Sequence, residues 1–223
     1  MTELSSDLQR RIKVMGNEIV AIGTVTSDIL PIYKLQDGSN VFGFEVSVER
    51  LSGTKDAIPC LVKEVYITDA DLIIDKYDKV ELLGEVRTRN IQDSDGVSHL
   101  EVYVWVYNIQ KVADNVQDFN QVDIDGTVCR KNDIRVKKYS KVSICDFILV
   151  SSRNNNRPSY IPCIAWNKLA REVSAKYSVG DNLHAVGRFQ SRPYVKKLSN
   201  TESEERVAYE VSINEIGVEY GEE

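Results

Sequence analysis

The sequence has little of what catalysis and metal binding usually require. Only two histidines occur in 223 residues, His99 and His184, and they are not spaced as zinc ligands. No segment matches a glycine-rich phosphate loop, a G-x-S-x-G turn or an H-E-x-x-H helix. Asp69-Ala70-Asp71 and Asp93-Ser94-Asp95-Gly96 lack the rest of a calcium loop and fit a helix start and a turn. We therefore predict a protein that is not an enzyme and holds no cofactor or metal.

Cysteine is also scarce, and its spacing excludes the usual cysteine-based frameworks. The four cysteines are Cys60, Cys129, Cys145 and Cys163, and no two of them form a C-x2-C pair. Cys60 and Cys163 lie within short apolar runs, where cysteine behaves as a small hydrophobic residue. We predict reduced thiols with a structural role.

Long hydrophobic runs are missing as well. No apolar stretch approaches the roughly 20 residues that a membrane-spanning helix needs. The first eleven residues, Met1 to Arg11, lack the apolar centre of a secretory signal. We therefore expect a cytoplasmic protein without membrane association. The pattern over Thr2–Lys13 fits either a short helix or a loose segment.

What the sequence does contain is a long internal repeat. Ile58-Pro59-Cys60 returns as Ile161-Pro162-Cys163, which is 103 residues later (161 − 58). Gly23, Phe44, Arg50, Gly84 and Arg89 recur at the same distance, as Gly126, Phe147, Arg153, Gly187 and Arg192. This period is too long for a solenoid repeat and close to the size of a small domain. We predict two tandem domains, residues 1–116 and 117–223, with Ala113–Asp118 as the linker.

Hydrophobic alternation predicts that each copy consists mainly of strands. In the first copy, the predicted strands are Glu18–Thr26, Val41–Val48, Ala57–Val62, Lys79–Arg87 and His99–Val112. In the second copy, they are Val122–Arg130, Val142–Ser151, Ser159–Ala165, Asn182–Phe189 and Val207–Val218. A helix is predicted between the third and fourth strands of each copy, at about Glu64–Tyr77 and near Lys168–Tyr177. Five strands with one helix in this position predict an all-β fold of two five-stranded Greek-key barrels of the OB type.

Charge is distributed unevenly along the chain. Residues 1–116 carry 12 Lys/Arg and 19 Asp/Glu, residues 117–198 carry 15 and 7, and residues 199–223 carry 1 and 8. The corresponding net charges are −7, +8 and −7, which together give the overall −6. A basic block between acidic flanks is typical of a nucleic-acid surface, although it also fits a charged barrel exterior.

Aromatic residues within the basic block favour the nucleic-acid interpretation. Tyr160 and Trp166 are an even number of residues apart, which places two side chains on the same face of one strand. Tyr194 lies at the end of the segment Arg188–Tyr194, at the tip of the next predicted hairpin. Aromatic side chains beside a cationic groove hold single-stranded nucleic acid without reading its sequence. The alternative is that Tyr160 and Trp166 belong to the barrel core.

These residues also carry a resemblance to a known family. The passage Tyr160-Ile161-Pro162-Cys163-Ile164-Ala165-Trp166-Asn167-Lys168-Leu169-Ala170 and the hairpin Gly187-Arg188 to Ser191-Arg192-Pro193-Tyr194 resemble the OB domain of bacterial single-stranded DNA-binding proteins. The resemblance covers nearly all of residues 120–218. It implies that Tyr160, Trp166 and Tyr194 stack on bases, and that the basic residues along the strand path are Arg153, Arg188, Arg192, Lys196 and Lys197. It also implies that two chains would supply the usual four OB-folds, as a homodimer.

The first copy departs from this pattern. The positions equivalent to Tyr160, Trp166 and Tyr194 are Ala57, Lys63 and Ile91. Arg50, Arg87 and Arg89 remain as a weak phosphate track. We therefore expect that the first copy keeps the barrel but has lost most of its stacking surface.

Two functions fit these observations. The first is single-stranded DNA binding without strong sequence preference, mainly through the second domain, in replication, recombination or repair. The second is a protein-interaction module of a primosome or recombination complex with weak nucleic-acid binding. RNA remains open as the ligand, because no residue identifies a contact to a 2′-hydroxyl.

Overall fold

The strands of the protein form two similar halves. The computed structural model describes residues 16–67, 73–92, 96, 98–137, 140–151, 157–197 and 203–217. The first half contains β1 (Asn17–Val25), β2 (Leu30–Lys34), β3 (Asn40–Glu49), β4 (Lys55–Lys63), β5 (Lys79–Gln92) and β6 (Ser98–Lys111). The second half contains β7 (Phe119–Lys131), β8 (Arg135–Val136), β9 (Ser143–Ser151), β10 (Ser159–Trp166), β11 (Asn182–Lys197) and β12 (Ser203–Ile216).

Each half closes into a barrel in the same way. The first half has the strand order β2-β3-β4-β6-β5-β1, and β1 pairs again with β3. The second half has the order β7-β11-β12-β10-β9-β8, and β7 pairs again with β9. In both halves one parallel pair closes the arrangement, β4 with β6 and β10 with β12. Two tandem OB-fold barrels are therefore confirmed, each with one short edge strand, β2 or β8, that the sequence did not predict.

The alternating sequence pattern explains which side chains fill each barrel. Ile58, Cys60 and Val62 of β4 point into the first barrel, and Ile161, Cys163 and Ala165 of β10 point into the second. Cys60 and Cys163 are unpaired and buried, and burial raises the pKa of both thiols. Their prediction as small core residues is confirmed.

The two halves differ in their helical segment. In the second half, α1 (Asn167–Lys176) follows β10 directly, as predicted, and buries Ala170 and Val173. In the first half, the prediction of a helix at about Glu64–Tyr77 is wrong for the described residues, which contain only a 3-10 turn at Glu64–Tyr66. Residues 68–72 of that segment lie outside the described residues, as do Thr2–Lys13. None of the helices described is long and apolar enough to cross a membrane.

The halves are joined through equivalent strands. β1 pairs antiparallel with β7, and Ile19 lies opposite Val122, its own repeat equivalent (19 + 103). Two copies of one pattern therefore meet around a local pseudo-twofold axis. On the junction strand β1, the Asn17 side chain exchanges two hydrogen bonds with the backbone of Val86. On β7, Asn120 makes the same pair of bonds with Phe189.

Side chains add a second set of contacts across the junction. The Tyr160 backbone N–H donates to Thr88 Oγ1 at 2.9 Å, and the Ala57 N–H donates to Ser191 Oγ at 2.8 Å. These two bonds are repeat equivalents of each other. Asp56 is fully buried, pairs with Arg50, and accepts a bond of 3.0 Å from the Ser191 N–H. The bond from Arg50 to Asp56 raises the pKa of the guanidinium.

A repeated glycine lies at a register shift in each barrel. The β5–β6 pairing shifts register between Leu83 and Gly84, and the β11–β12 pairing shifts between Val186 and Gly187. A Cβ at Gly84 would lie 2.6 Å from the Trp105 carbonyl oxygen. The bulge therefore needs a residue without a side chain.

Candidate nucleic-acid interface

Tyr160 and Trp166 lie on the outer face of the second barrel, defined as the side of β10, β11 and β12 that points away from its core. Their even spacing on β10 sets them opposite the inward side chains of Ile161, Cys163 and Ala165. Tyr160 is 46% exposed, and Trp166 is half-buried outside the core cluster. The two side chains therefore share a face, and neither belongs to the barrel core.

Trp166 is held by two neighbours. Its Nε1–H donates to Ser212 Oγ at 3.2 Å, and the Lys137 ammonium lies 5.6 Å from the ring centroid. Lys137 follows the short strand β8 and was not among the predicted site residues. An indole beside an ammonium group offers a stacking surface and a phosphate partner together.

The predicted residues of the β11–β12 hairpin fall into different environments. Tyr194 is 38% exposed, and Arg206 lies opposite it on β12, paired with Glu204 at 2.8 Å. Lys196 is exposed on the same face of β11. Lys197 pairs through its backbone with Ser203, while its side chain and the whole of Arg153 lie outside the described residues.

Two of the predicted arginines are engaged within the protein. Arg192 pairs with Glu210 at 3.2 Å, although its side chain remains 44% exposed. Arg188 is half-buried near Arg50 and Asp56 of the first domain, and burial, followed by the charge of Arg50, lowers the pKa of its guanidinium. Arg188 therefore lies towards the domain junction, in contrast to the exposed position expected of a phosphate contact.

The structure also corrects the meaning of the basic block. β12 pairs with β11 along its whole length, so its acidic residues, Glu204, Glu205, Glu210 and Glu215, lie beside the basic residues of β11. The second domain as a unit, residues 117–223, has 16 Lys/Arg and 15 Asp/Glu, a net charge of +1. The charges are segregated along the chain but interleaved in the folded sheet.

A concave surface lies at the junction of the two domains, and we call it the junction groove. It has a volume of about 890 Å³ and is formed by the outer face of the first barrel together with the start of β10. Its lining is both aromatic and basic. The aromatic residues are Tyr33, Tyr66, Tyr103, Trp105 and Tyr160, and the basic residues are Lys63, Arg87, Arg89 and Arg157.

Arginine side chains lie over aromatic rings within this groove. The Arg87 guanidinium carbon lies 4.4 Å from the centroid of the Trp105 ring. The Arg89 guanidinium carbon lies 5.3 Å from the rings of both Tyr33 and Tyr103. Both arginines are also ion-paired, Arg87 with Glu85 and Arg89 with Glu101.

The first domain therefore carries outward-facing aromatic residues at positions other than those compared in the sequence. Lys63 does replace Trp166, but a tryptophan returns from another strand. Leu61 lies opposite Trp105 across β4 and β6, just as Ile164 lies opposite Ser212 across β10 and β12. Trp105 thus occupies the place of Ser212, the residue that contacts Trp166. Each outer face carries one indole near the same point.

Sequence reasoning missed these aromatic residues although a signal was present. Tyr103, Trp105 and Tyr107 alternate with Val102, Val104 and Val106 on β6. The three valines fill the barrel, so the aromatic residues must point outwards. Tyr33 was not identifiable, because it lies on β2, which the sequence did not predict.

Comparison with known proteins finds a family similar to the second domain. Residues 119–218 match the model of the single-strand binding protein family. A comparison with curated proteins finds no match. The second domain is thus similar to single-strand binding proteins over nearly its whole length.

Solved structures show that the arrangement of both barrels is a known fold. The wild-type single-stranded DNA binding protein from Thermus aquaticus superimposes with a TM-score of 0.70 and 18% sequence identity, covering 90% of this chain and 91% of that one. A deletion mutant of the Thermus aquaticus protein gives a TM-score of 0.66 and 19% identity, covering 90% of this chain and 93% of the other. The tandem OB-fold of the whole chain is the fold of these proteins.

Proposed function

We propose that this protein binds single-stranded DNA without strong sequence preference, using the outer faces of both domains. The observation that carries the proposal is the placement of indole, phenol and guanidinium groups on these faces. Stacked bases and phosphates need these two kinds of partner, and every base has a face that can stack. The family match of the second domain and the fold of the whole chain support the same function.

The two outer faces form one path across the domain junction. Tyr160 and Arg157 of the second domain line the junction groove together with the first-domain aromatic residues. Trp166 lies six residues further along β10, at about 20 Å for a strand rise of about 3.3 Å per residue. One strand that stacks on Trp166 and Tyr160 would therefore continue into the groove. The first domain contributes to binding in this proposal.

The biological setting follows from this activity. A protein that coats single-stranded DNA without catalysis suits replication, recombination or repair in the cytoplasm. Two chains would bring four OB-folds together as a homodimer. Light scattering of the purified protein, with and without DNA, tests this assembly, and a monomer under both conditions would exclude it.

A direct titration tests the proposed function. A fluorescein-labelled oligo-dT should show increased anisotropy when the full-length protein is added at moderate salt. Labelled oligo-rU and duplex DNA of the same length serve as competitors that separate DNA from RNA and single strands from double strands. Absence of binding to any oligo-dT would refute the proposal.

One surface favours the alternative of a protein-interaction module. Leu30 and Ile32 are 57% and 51% exposed on the edge strand β2. Apolar side chains on an unpaired strand edge are typical of peptide-binding sheets. Substituting Leu30→Ser leaves DNA affinity unchanged if this surface serves another partner.

A further inference from the structure

Trp105 is covered by an arginine in the free protein. Trp105 lies on the outer face of the barrel but is only 8% exposed, because it packs with Val41, Leu61 and Tyr103 and lies beneath the Arg87 guanidinium. Glu85 is the direct cross-strand neighbour of Trp105, and Tyr103 is that of Arg87. Arg87 therefore reaches diagonally across the ladder to lie over the indole. The face that a base would use is already occupied by a guanidinium.

Glu85 holds this cover in place. Glu85 and Arg87 share one face of β5 and form an ion pair whose side chains are 16% and 20% exposed. The carboxylate occupies the part of the guanidinium that would otherwise bind a phosphate. Trp166 of the second domain differs, because its neighbouring cation is Lys137, at 5.6 Å, and it is not among the buried residues.

We propose that single-stranded DNA exchanges places with Arg87. A base stacks on Trp105 where the guanidinium lay, and Arg87 leaves Glu85 to bind an adjoining phosphate. This inference rests on the proposed function and adds a regulated step to it. Both guanidinium and base are flat groups that stack on an indole, and a phosphate competes with Glu85 for the same cation. In the second domain, the ring of Trp166 is accessible to a base in the free protein. In the first domain, the ring of Trp105 becomes accessible only when DNA displaces Arg87.

The chain contains two tryptophans, so each can be observed alone. In the Trp166→Phe variant all indole emission comes from Trp105, while phenylalanine keeps an aromatic ring at position 166. We expect weak acrylamide quenching of Trp105 in the free protein, because Arg87 covers it. Adding the Arg87→Ala substitution should increase that quenching several-fold.

Oligo-dT is the probe for the exchange. Binding is followed by the anisotropy of a labelled oligomer, independently of the indole. We expect Trp105 emission to fall as the oligomer saturates the Trp166→Phe variant, since a base now stacks on the ring. If the oligomer binds but Trp105 emission and quenching stay unchanged, the exchange is overturned while the proposed function stands. If the wild-type protein fails to bind, both are overturned.

A charge-matched pair of variants tests the competition by Glu85. Glu85→Gln frees Arg87 for phosphate and should tighten oligo-dT binding by about two- to five-fold, the range of a partly exposed ion pair. Glu49→Gln is the control, because Glu49 pairs with Lys55 on the surface at 3.6 Å and lies outside the junction groove. Equal effects of the two substitutions would overturn the role of Glu85. Thermal melting checks that both variants are folded.

Discussion

At the scale of single residues, similar chemistry is reached from different positions. Trp166 extends from β10 and bonds Ser212, whereas Trp105 extends from β6 over the place that Ser212 occupies in the other domain. The repeat equivalent of Trp166 in the first domain is Lys63, so equivalent positions alone indicate that the tryptophan has been lost. What matters for stacking is where a ring lies on the surface of the sheet, and the two indoles occupy nearly equivalent places on the outer faces of the two barrels.

Trp166→Ala should weaken oligo-dT binding by about 1–3 kcal/mol, the contribution of one base stack. The unfolding free energy should fall by only about 1 kcal/mol, because Trp166 is outside the core cluster and loses one hydrogen bond to Ser212. Titration and thermal melting of the same variant separate the two effects. Trp166→Phe is the control and should retain most of the affinity.

A different result would assign Trp166 another role. A loss of about 3–5 kcal/mol in stability would be that of a core aromatic residue. Normal melting with unchanged affinity would remove Trp166 from the interface.

At the scale of strands and helices, the sequence predicted the elements that alternation or helix propensity defines. Ten strands and α1 were found close to their predicted positions. The first-domain helix is absent from the described part of its segment, and the sequence explains why. Val65 and Ile67 are β-branched, and Glu64 stands at the equivalent of Asn167, whose φ of 53° suits asparagine better than glutamate. β2 and β8 form by pairing with β3 and β9, and no local sequence pattern predicts them.

The repeated glycine of the bulge gives a prediction at this scale. Gly84→Ala should destabilise the protein by about 1–3 kcal/mol, because the new Cβ meets backbone at Trp105. Gly43→Ala is the matched control, since its Cβ meets the side chain of Ile32, which is exposed and can move. Chemical denaturation measures both variants. Equal costs would show that the close approach at the bulge is not a constraint.

At the scale of the whole molecule, binding mainly through the second domain stays a prediction, but the folded protein changes the two observations behind it. These were a basic block in the second domain and the absence of aromatic residues at the stacking positions of the first. The acidic residues of β12 lie beside basic residues of β11, and Tyr33, Tyr66, Tyr103 and Trp105 line the junction groove. Net charge along a sequence says little about a sheet whose strands come from distant segments. The barrels and the shared face of Tyr160 and Trp166 were predictable, but the groove between the domains was not.

Salt dependence belongs to this scale because phosphates are contacted along the whole path. The logarithm of affinity should fall linearly with the logarithm of salt concentration, with a slope of about 0.7 per phosphate contact. Lys196→Ala should lower the slope by about 0.7, whereas Trp166→Ala should reduce affinity and leave the slope unchanged. A flat dependence in the wild-type protein would contradict the electrostatic contribution.

The buried pair at the junction gives the last prediction. Asp56→Ala leaves Arg50 without its carboxylate and removes the acceptor of the Ser191 N–H, so stability should fall by about 3–5 kcal/mol. Asp146→Ala is the control, because its pair with Arg135 lies at the surface. Calorimetry compares the two. A loss no larger than that of the control would show that Asp56 does not hold the domains together.

The pairing of Ile19 with its own repeat equivalent, Val122, has a consequence for how such a protein behaves on dilution and over evolution. Two separate barrels that met in this way would come apart at low concentration, but here the connection between β6 and β7 keeps the local concentration of one half around the other constant. Through the β1–β7 pairing, each barrel is joined to the other kind of barrel. Mutations in one half therefore need not be matched in the other, and an arginine-covered indole can sit permanently beside an open one.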